Sequence, residues 1–233
     1  MLLTAKGISK RYGANTVLDG AGFSVQPHEI LGLIGPNGAG KTTLFECLAG
    51  LLPADAGEVA FQGRPLRPGR RKEALYYMPD GIRPWPDEPL SRMLGFFESL
   101  YGRPRGEGRR LAGSLQLTHL LRSSVAALSK GEAKRALLAA GLLTPHPLLL
   151  LDEPFDGLDF RQTREVMELL RGVPAQGRTL FLSIHQLNDA ARICDRLVLL
   201  SRGRVAGEGT LAELRAQAGV GEGGLEEVFL ALT

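Results

Sequence analysis

The sequence is short of cysteine and tryptophan and has no long apolar run, and each shortage closes off a class of protein. Only two cysteines, Cys47 and Cys194, occur in 233 residues. They lie far apart and lack the paired spacing of a metal site or a disulfide framework, so both read as free thiols used as small buried hydrophobes in a reducing compartment. No apolar run approaches the roughly 18 residues that span a bilayer. The opening segment, Met1 to Lys6, meets charge at once and has no apolar region of the kind a cleaved signal peptide needs. A soluble protein that can dock on a membrane-embedded partner is expected. The formal net charge is only +3, which gives no support to nucleic-acid binding. No internal repeat is visible, so the chain carries one site's worth of motifs.

What is present is ordinary globular material, 44% hydrophobic and 23% charged, enough for one domain with a substantial core. Apolar segments bounded by Gly and Pro recur at residues 23–25, 30–34, 59–61, 148–151, 179–183 and 197–200 and read as strands. Those at 30–34, 148–151, 180–184 and 197–200 are apolar at successive positions, as parallel strands covered by helices on both faces require. An α/β core follows. From about residue 86 to 144 the texture changes to helical spacing, as in Leu90-Met93-Leu94-Phe97 and Leu111-Leu115-Leu117-Leu120, which predicts a helical subdomain inserted in that core. The basic, turn-rich stretch Arg64 to Lys72 reads as a solvated loop with no chemistry assigned to it.

Gly35-Pro36-Asn37-Gly38-Ala39-Gly40-Lys41-Thr42-Thr43 fits the phosphate-binding P-loop, with a buried strand before it and a helical run, Leu44 to Leu48, after it. Glycines let the backbone curl so that successive N–H groups and the helix N-terminus point at phosphate oxygens. Lys41 reaches the β and γ phosphates of ATP, and Thr42 offers its hydroxyl to Mg²⁺. The strand 148–151 ends in Asp152 and Glu153, on the carboxyl side where α/β sheets bind ligands. Asp152 suits the metal shell, and Glu153 suits the base that activates water.

With these motifs in place the chain resembles the nucleotide-binding subunits of ABC transporters over nearly its whole length. Leu128-Ser129-Lys130-Gly131-Glu132 is similar to the family's signature loop. The resemblance implies a P-loop ATPase fold with a mixed β core, an inserted helical subdomain and an N-terminal antiparallel β portion, all in a single domain, 1–233. It further implies a D-loop at Phe155 to Asp159, a switch histidine at His185, and an adenine-stacking ring at Tyr12. Tyr12 has edge packing of the first sheet as its plain alternative, and His185 the role of a satisfied surface or core residue. In the family the signature residues Ser129, Lys130, Gly131 and Glu132 act on the ATP of an opposing subunit. An ATP-dependent head-to-tail dimer, with itself or a related ATPase subunit, is therefore implied. So are a separately encoded transmembrane permease and a cytoplasmic, peripheral location on the inner face of the cell membrane.

Two departures from the family pattern stand out. The signature loop carries Lys130 and Glu132 where glycine and glutamine are common, a Ser-Lys-Gly pattern that resembles export-type members; Lys130 offers a cationic contact to phosphate. The segment Tyr76-Tyr77-Met78-Pro79-Asp80 places Asp80 where the family usually has glutamine, and Asp80 is expected to join Thr42 and Asp152 around Mg²⁺. Trp85, flanked by prolines, serves either as an anchor to the membrane partner or as packing on the helical subdomain. The tail, residues 209–230, resembles ABC-2-type exporters and adds no regulatory domain. The alternatives to a transport motor are a soluble ABC-type ATPase acting on nucleic acid or ribosomes, an ATP-gated switch with little turnover, and a small-molecule kinase or GTPase.

Overall fold

The computed structural model describes residues 1–233. In chain order the elements are β1 (Leu3–Tyr12), β2 (Asn15–Val25), β3 (Ile30–Ile34), α1 (Lys41–Ala49), β4 (Ala56–Phe61), β5 (Arg64–Pro65), β6 (Leu75–Met78), α2 (Leu90–Leu100), α3 (Glu107–Ser114), α4 (Lys130–Leu143), β7 (Leu148–Asp152) and α5 (Phe160–Arg171), then β8 (Thr179–Ile184), α6 (Leu187–Ile193), β9 (Arg196–Ser201), β10 (Arg204–Gly209), α7 (Leu211–Ala218) and α8 (Leu225–Leu232). They form a six-stranded sheet in the order β10-β9-β3-β8-β7-β6 and a four-stranded sheet in the order β2-β1-β4-β5. In the larger sheet all pairings are parallel except that of β10 with β9; the smaller sheet is antiparallel. The expected mixed core with an antiparallel N-terminal portion is what the chain builds.

Alternation along the buried strands divides the interior into two layers. Leu149 and Leu151 of β7, Leu180 and Leu182 of β8, and Leu197 and Leu199 of β9 face the helices α2 to α6. Leu148, Leu150, Phe181, Val198 and Leu200 point the other way, onto α1 and the smaller sheet. Helix α4 is apolar all round from Ala136 to Leu143 and is buried there, as a helix segment with no polar face must be.

Three local readings differ from the sequence expectation. Strand β1 lies outside the strands the sequence pattern predicts, because register breaks between Ala5 and Ile8, around the left-handed Gly7, interrupt its alternation. The pattern Leu111 to Leu120 is not one helix: α3 stops at Ser114, and Gln116 turns the chain with φ 58° before a short 3₁₀ turn at Thr118–Leu120. The stretch Arg64 to Lys72 is not simply solvated, since Arg71 is buried and donates to the carbonyl oxygens of Leu66 and Cys47. The Cys47 carbonyl belongs to the last turn of α1, so a guanidinium sits at the negative end of that helix. Both cysteines are free, and burial raises the pKa of each thiol above its ordinary value.

Candidate functional site at the carboxyl ends of β3, β7 and β8

The loop after β3 curls by means of two left-handed glycines, Gly38 at φ 80° and Gly40 at φ 101°, and delivers the chain into α1 at Lys41. Its first residue leaves no room for a side chain: a Cβ on Gly35 would lie 2.4 Å from the carbonyl oxygen of Leu200. Lys41 is buried, with Nζ donating to the Gly35 carbonyl at 2.8 Å and standing 3.8 Å from a carboxylate oxygen of Glu153. One ammonium thus links the loop to the end of β7.

Asp152, only 1% exposed, is held from three sides. Thr42 Oγ1 donates to its Oδ2 at 2.9 Å, Tyr77 OH lies 3.4 Å from the same oxygen, and Ser183 Oγ donates to Oδ1. Burial and the neighbouring carboxylate push the Tyr77 hydroxyl well above its ordinary pKa, so it stays protonated and able to donate. Ser183 also accepts the backbone N–H of Glu153 at 2.9 Å. A hydroxyl and a carboxylate side by side match what Mg²⁺ asks of a protein: one or two hard oxygens, with phosphate and water completing the shell. No cluster of three or more acidic, His or Cys side chains suited to a metal is present, and that mode of binding needs none.

Glu153 adopts φ 51°, a left-handed backbone that a residue with a Cβ tolerates only when its surroundings impose it. The consequence is direction. Its carboxylate leaves the strand towards His185, whose Nδ1 contacts Oε2, while Oε1 faces Lys41. His185 follows directly on β8 and is 42% exposed on its side chain, so it meets the carboxylate from the open side.

The signature segment opens α4. Ser129 caps the helix, accepting the N–H of Glu132 at 3.3 Å, and Glu132 accepts the N–H of Ser129 at 2.8 Å. That reciprocal capping box accounts for a glutamate at this position, and the backbone hydrogen bond from Ser129 lowers the pKa of Glu132. Gly131 has no space for a Cβ, which would lie 2.7 Å from the Gly157 carbonyl oxygen. Lys130 is not free: it pairs with Asp156 of the segment after β7, whose pKa the lysine hydrogen bond holds down. Asp159 caps α5, accepting the Gln162 N–H at 2.8 Å.

At Asp80 a further expectation takes a different form, and at Trp85 the packing alternative is the one observed. Asp80 makes no hydrogen bond to Thr42 or Asp152. Its carboxylate is taken by Lys134, so the structure puts an ion pair where a metal ligand was expected. Trp85 packs edge-on against Phe96, ring centroids 4.8 Å apart, and near Phe97, while remaining 44% exposed. Tyr12 ends β1 and is 48% exposed, with Lys10 Nζ 5.8 Å from its ring centroid. Tyr77, Ser183 and Lys134 were not singled out from the sequence. A serine within the apolar run of β8 and a lysine one turn into α4, just ahead of its apolar run, are the available signals.

A phosphate-cradling loop, a paired Thr42 and Asp152, and a glutamate steered towards a histidine define a nucleotide-hydrolysing P-loop domain. The chain matches the family model described as ABC transporter over residues 18–156. It is 36% identical over 222 residues to the Nod factor export ATP-binding protein I of Ralstonia nicotianae, spanning 91% of this chain and 68% of that protein. To the Fe(3+) ions import ATP-binding protein FbpC of Streptomyces coelicolor it is 38% identical over 221 residues, 91% of this chain and 63% of that one. A solved ATP binding subunit of an ABC transporter superposes with a TM-score of 0.90 at 32% identity, covering 100% of this chain and 99% of the other. The chain belongs to the ABC transporter family, as an ATP-binding and ATP-hydrolysing subunit.

Proposed function

We propose that this subunit works as half of a head-to-tail pair, closing on MgATP and driving a separately encoded membrane permease in export. Residues 35–43 cradle the phosphates of one ATP, and Ser129 to Glu132 of the opposing subunit cover its γ-phosphate. The D-loop residue Asp159 braces α5 beside that seam, and Tyr12 lays its exposed ring on the adenine. Thr42 and Asp152 would hold Mg²⁺, which when bound offsets charge on the β and γ phosphates.

The observation that carries this reading is the convergence of Lys41, Asp152, Glu153 and His185 at the ends of three parallel strands. Glu153 takes the proton of the attacking water. His185 orients the same carboxylate and donates towards the γ-phosphate, and Lys41 balances charge between phosphate and Glu153. Proton removal by a placed carboxylate contributes about 10²- to 10⁴-fold. Glu153→Gln is expected to keep ATP binding and to lose phosphate release by about that factor; unchanged release would remove Glu153 from the role of base.

The chain is read as one domain with residues 86–144 as the inserted helical subdomain that meets the permease. No helix is long and apolar enough to cross a membrane; in this reading the membrane path is the permease's. A surface cavity of about 250 Å³ lined by Trp85, Glu88, Arg92, Met93 and Phe96 offers an apolar floor with charged edges. Such a floor suits a short permease helix at the cytoplasmic face. The export direction is supported by the Nod factor export relative and by the Ser129-Lys130-Gly131 pattern. The iron-import relative makes direction the property to measure, by following substrate in inverted vesicles.

A further inference from the structure

Lys134 lies one turn beyond Lys130 on α4, with its side chain only 3% exposed. A buried ammonium needs a counter-charge. The Asp152 carboxylate is already engaged by Thr42 and Ser183, and Lys134 reaches only the Asp152 backbone carbonyl, at 3.5 Å. The charge is met instead by Asp80, two residues past the end of β6. One ammonium therefore reaches both the turn after β6 and the end of β7. Beside it a cavity of about 320 Å³ is lined by Asp80, Ile82, Arg83, Lys130 and Lys134 among others, so this junction borders open space.

We propose that Lys134 is a positioning residue for ATP hydrolysis: it neutralises Asp80, ties the turn after β6 to α4, and keeps a carboxylate from opposing the phosphates. The proposal rests on the ATP site described above. Asp80 stands where the family resemblance places a neutral glutamine, and an unpaired carboxylate there would repel a triphosphate and compete for its metal. Lys134 removes both effects within the fold. The ion pair also gives the turn and α4 a shared anchor, so that a shift of one moves the other.

The test compares the parent with Asp80→Gln, Lys134→Gln, Lys134→Arg and the double variant Asp80→Gln/Lys134→Gln. ATP affinity is measured in EDTA and with Mg²⁺, beside phosphate release and the thermal midpoint. Lys134→Gln is expected to weaken ATP binding about tenfold in EDTA and less with Mg²⁺, since the freed carboxylate then meets uncompensated phosphates. Each neutral single variant loses turnover about tenfold, and the double variant returns to within about threefold of the parent, a coupling that independent sites do not show. Lys134→Arg, which keeps the charge, stays closer to the parent than Lys134→Gln does. A double variant impaired by the product of the two singles overturns the proposal. So do single variants that bind and turn over like the parent, or Lys134→Arg failing as badly as Lys134→Gln while both remain folded. Lys41→Ala in the same assays tests the underlying site: its retention of parental ATP binding contradicts the phosphate loop whatever the Asp80 cycle shows.

Discussion

The carboxyl end of the sheet and the amino end of α4 both carry side chains of the proposed site, and they are held in place by different means. At the sheet end the groups are buried and over-determined: Asp152 has three hydroxyl neighbours, and Glu153 is fixed in a left-handed backbone. At α4 the outermost groups are exposed and held by exchangeable contacts, a capping box at Ser129 and an ion pair from Lys130 to Asp156. The groups proposed to place a water molecule and a metal are fixed by the fold. Those proposed to meet a second subunit are held by contacts a partner can replace, since exposed pairs are worth little.

The comparison breaks most sharply at Gly35. With the Leu200 carbonyl 2.4 Å from where a Cβ would sit, Gly35→Ala is expected to cost about 1–3 kcal/mol and to abolish ATP binding. Denaturant unfolding and nucleotide titration check the two effects, and an alanine variant of parental stability would show that the loop yields more easily than the packing implies.

A smaller effect is expected at the other end. Ser129→Ala removes the cap of α4, for about 1 kcal/mol of stability in the isolated subunit. ATP binding to the single subunit should survive while turnover falls, because in the proposed pair the hydroxyl acts on the opposing subunit's nucleotide. Equal loss of both would put Ser129 in its own subunit's site.

The smallest effect lies away from both regions. His146 donates from Nε2 to the Lys72 carbonyl at 2.8 Å, and its Nδ1 is buried with no partner. Burial lowers its pKa in the folded protein, so as pH falls the unfolded chain takes up the proton first. Its contribution is therefore complete above the unfolded value of about 6.5 and declines as pH drops below it, levelling once the folded form protonates. His146→Gln should remove that segment of the stability profile between pH 7.5 and 5, as read by denaturant titration, and leave ATP binding alone.

Legibility in the sequence follows the same division. The phosphate loop, β3 and β7 were readable because each is a contiguous motif whose neighbours in sequence are its neighbours in space. Strand β1 was hidden by the break at Gly7, and the Leu111 to Leu120 pattern concealed the turn at Gln116. Arg71 was read as solvated because its partner, the end of α1, lies more than twenty residues earlier. The pairing of Asp80 with Lys134 spans 54 residues, and no local pattern encodes it. Sequence alone therefore offers Asp80 as a metal ligand and leaves its ion pair with Lys134 hidden.

The central claim is a site completed by a second subunit, and the oligomeric mass of Glu153→Gln with and without MgATP tests it most directly. A monomer that becomes a dimer only with MgATP, and reverts when Ser129 is also replaced by alanine, is the predicted result. A mutant that binds MgATP yet stays monomeric at every protein concentration, alone and with its permease, would contradict it.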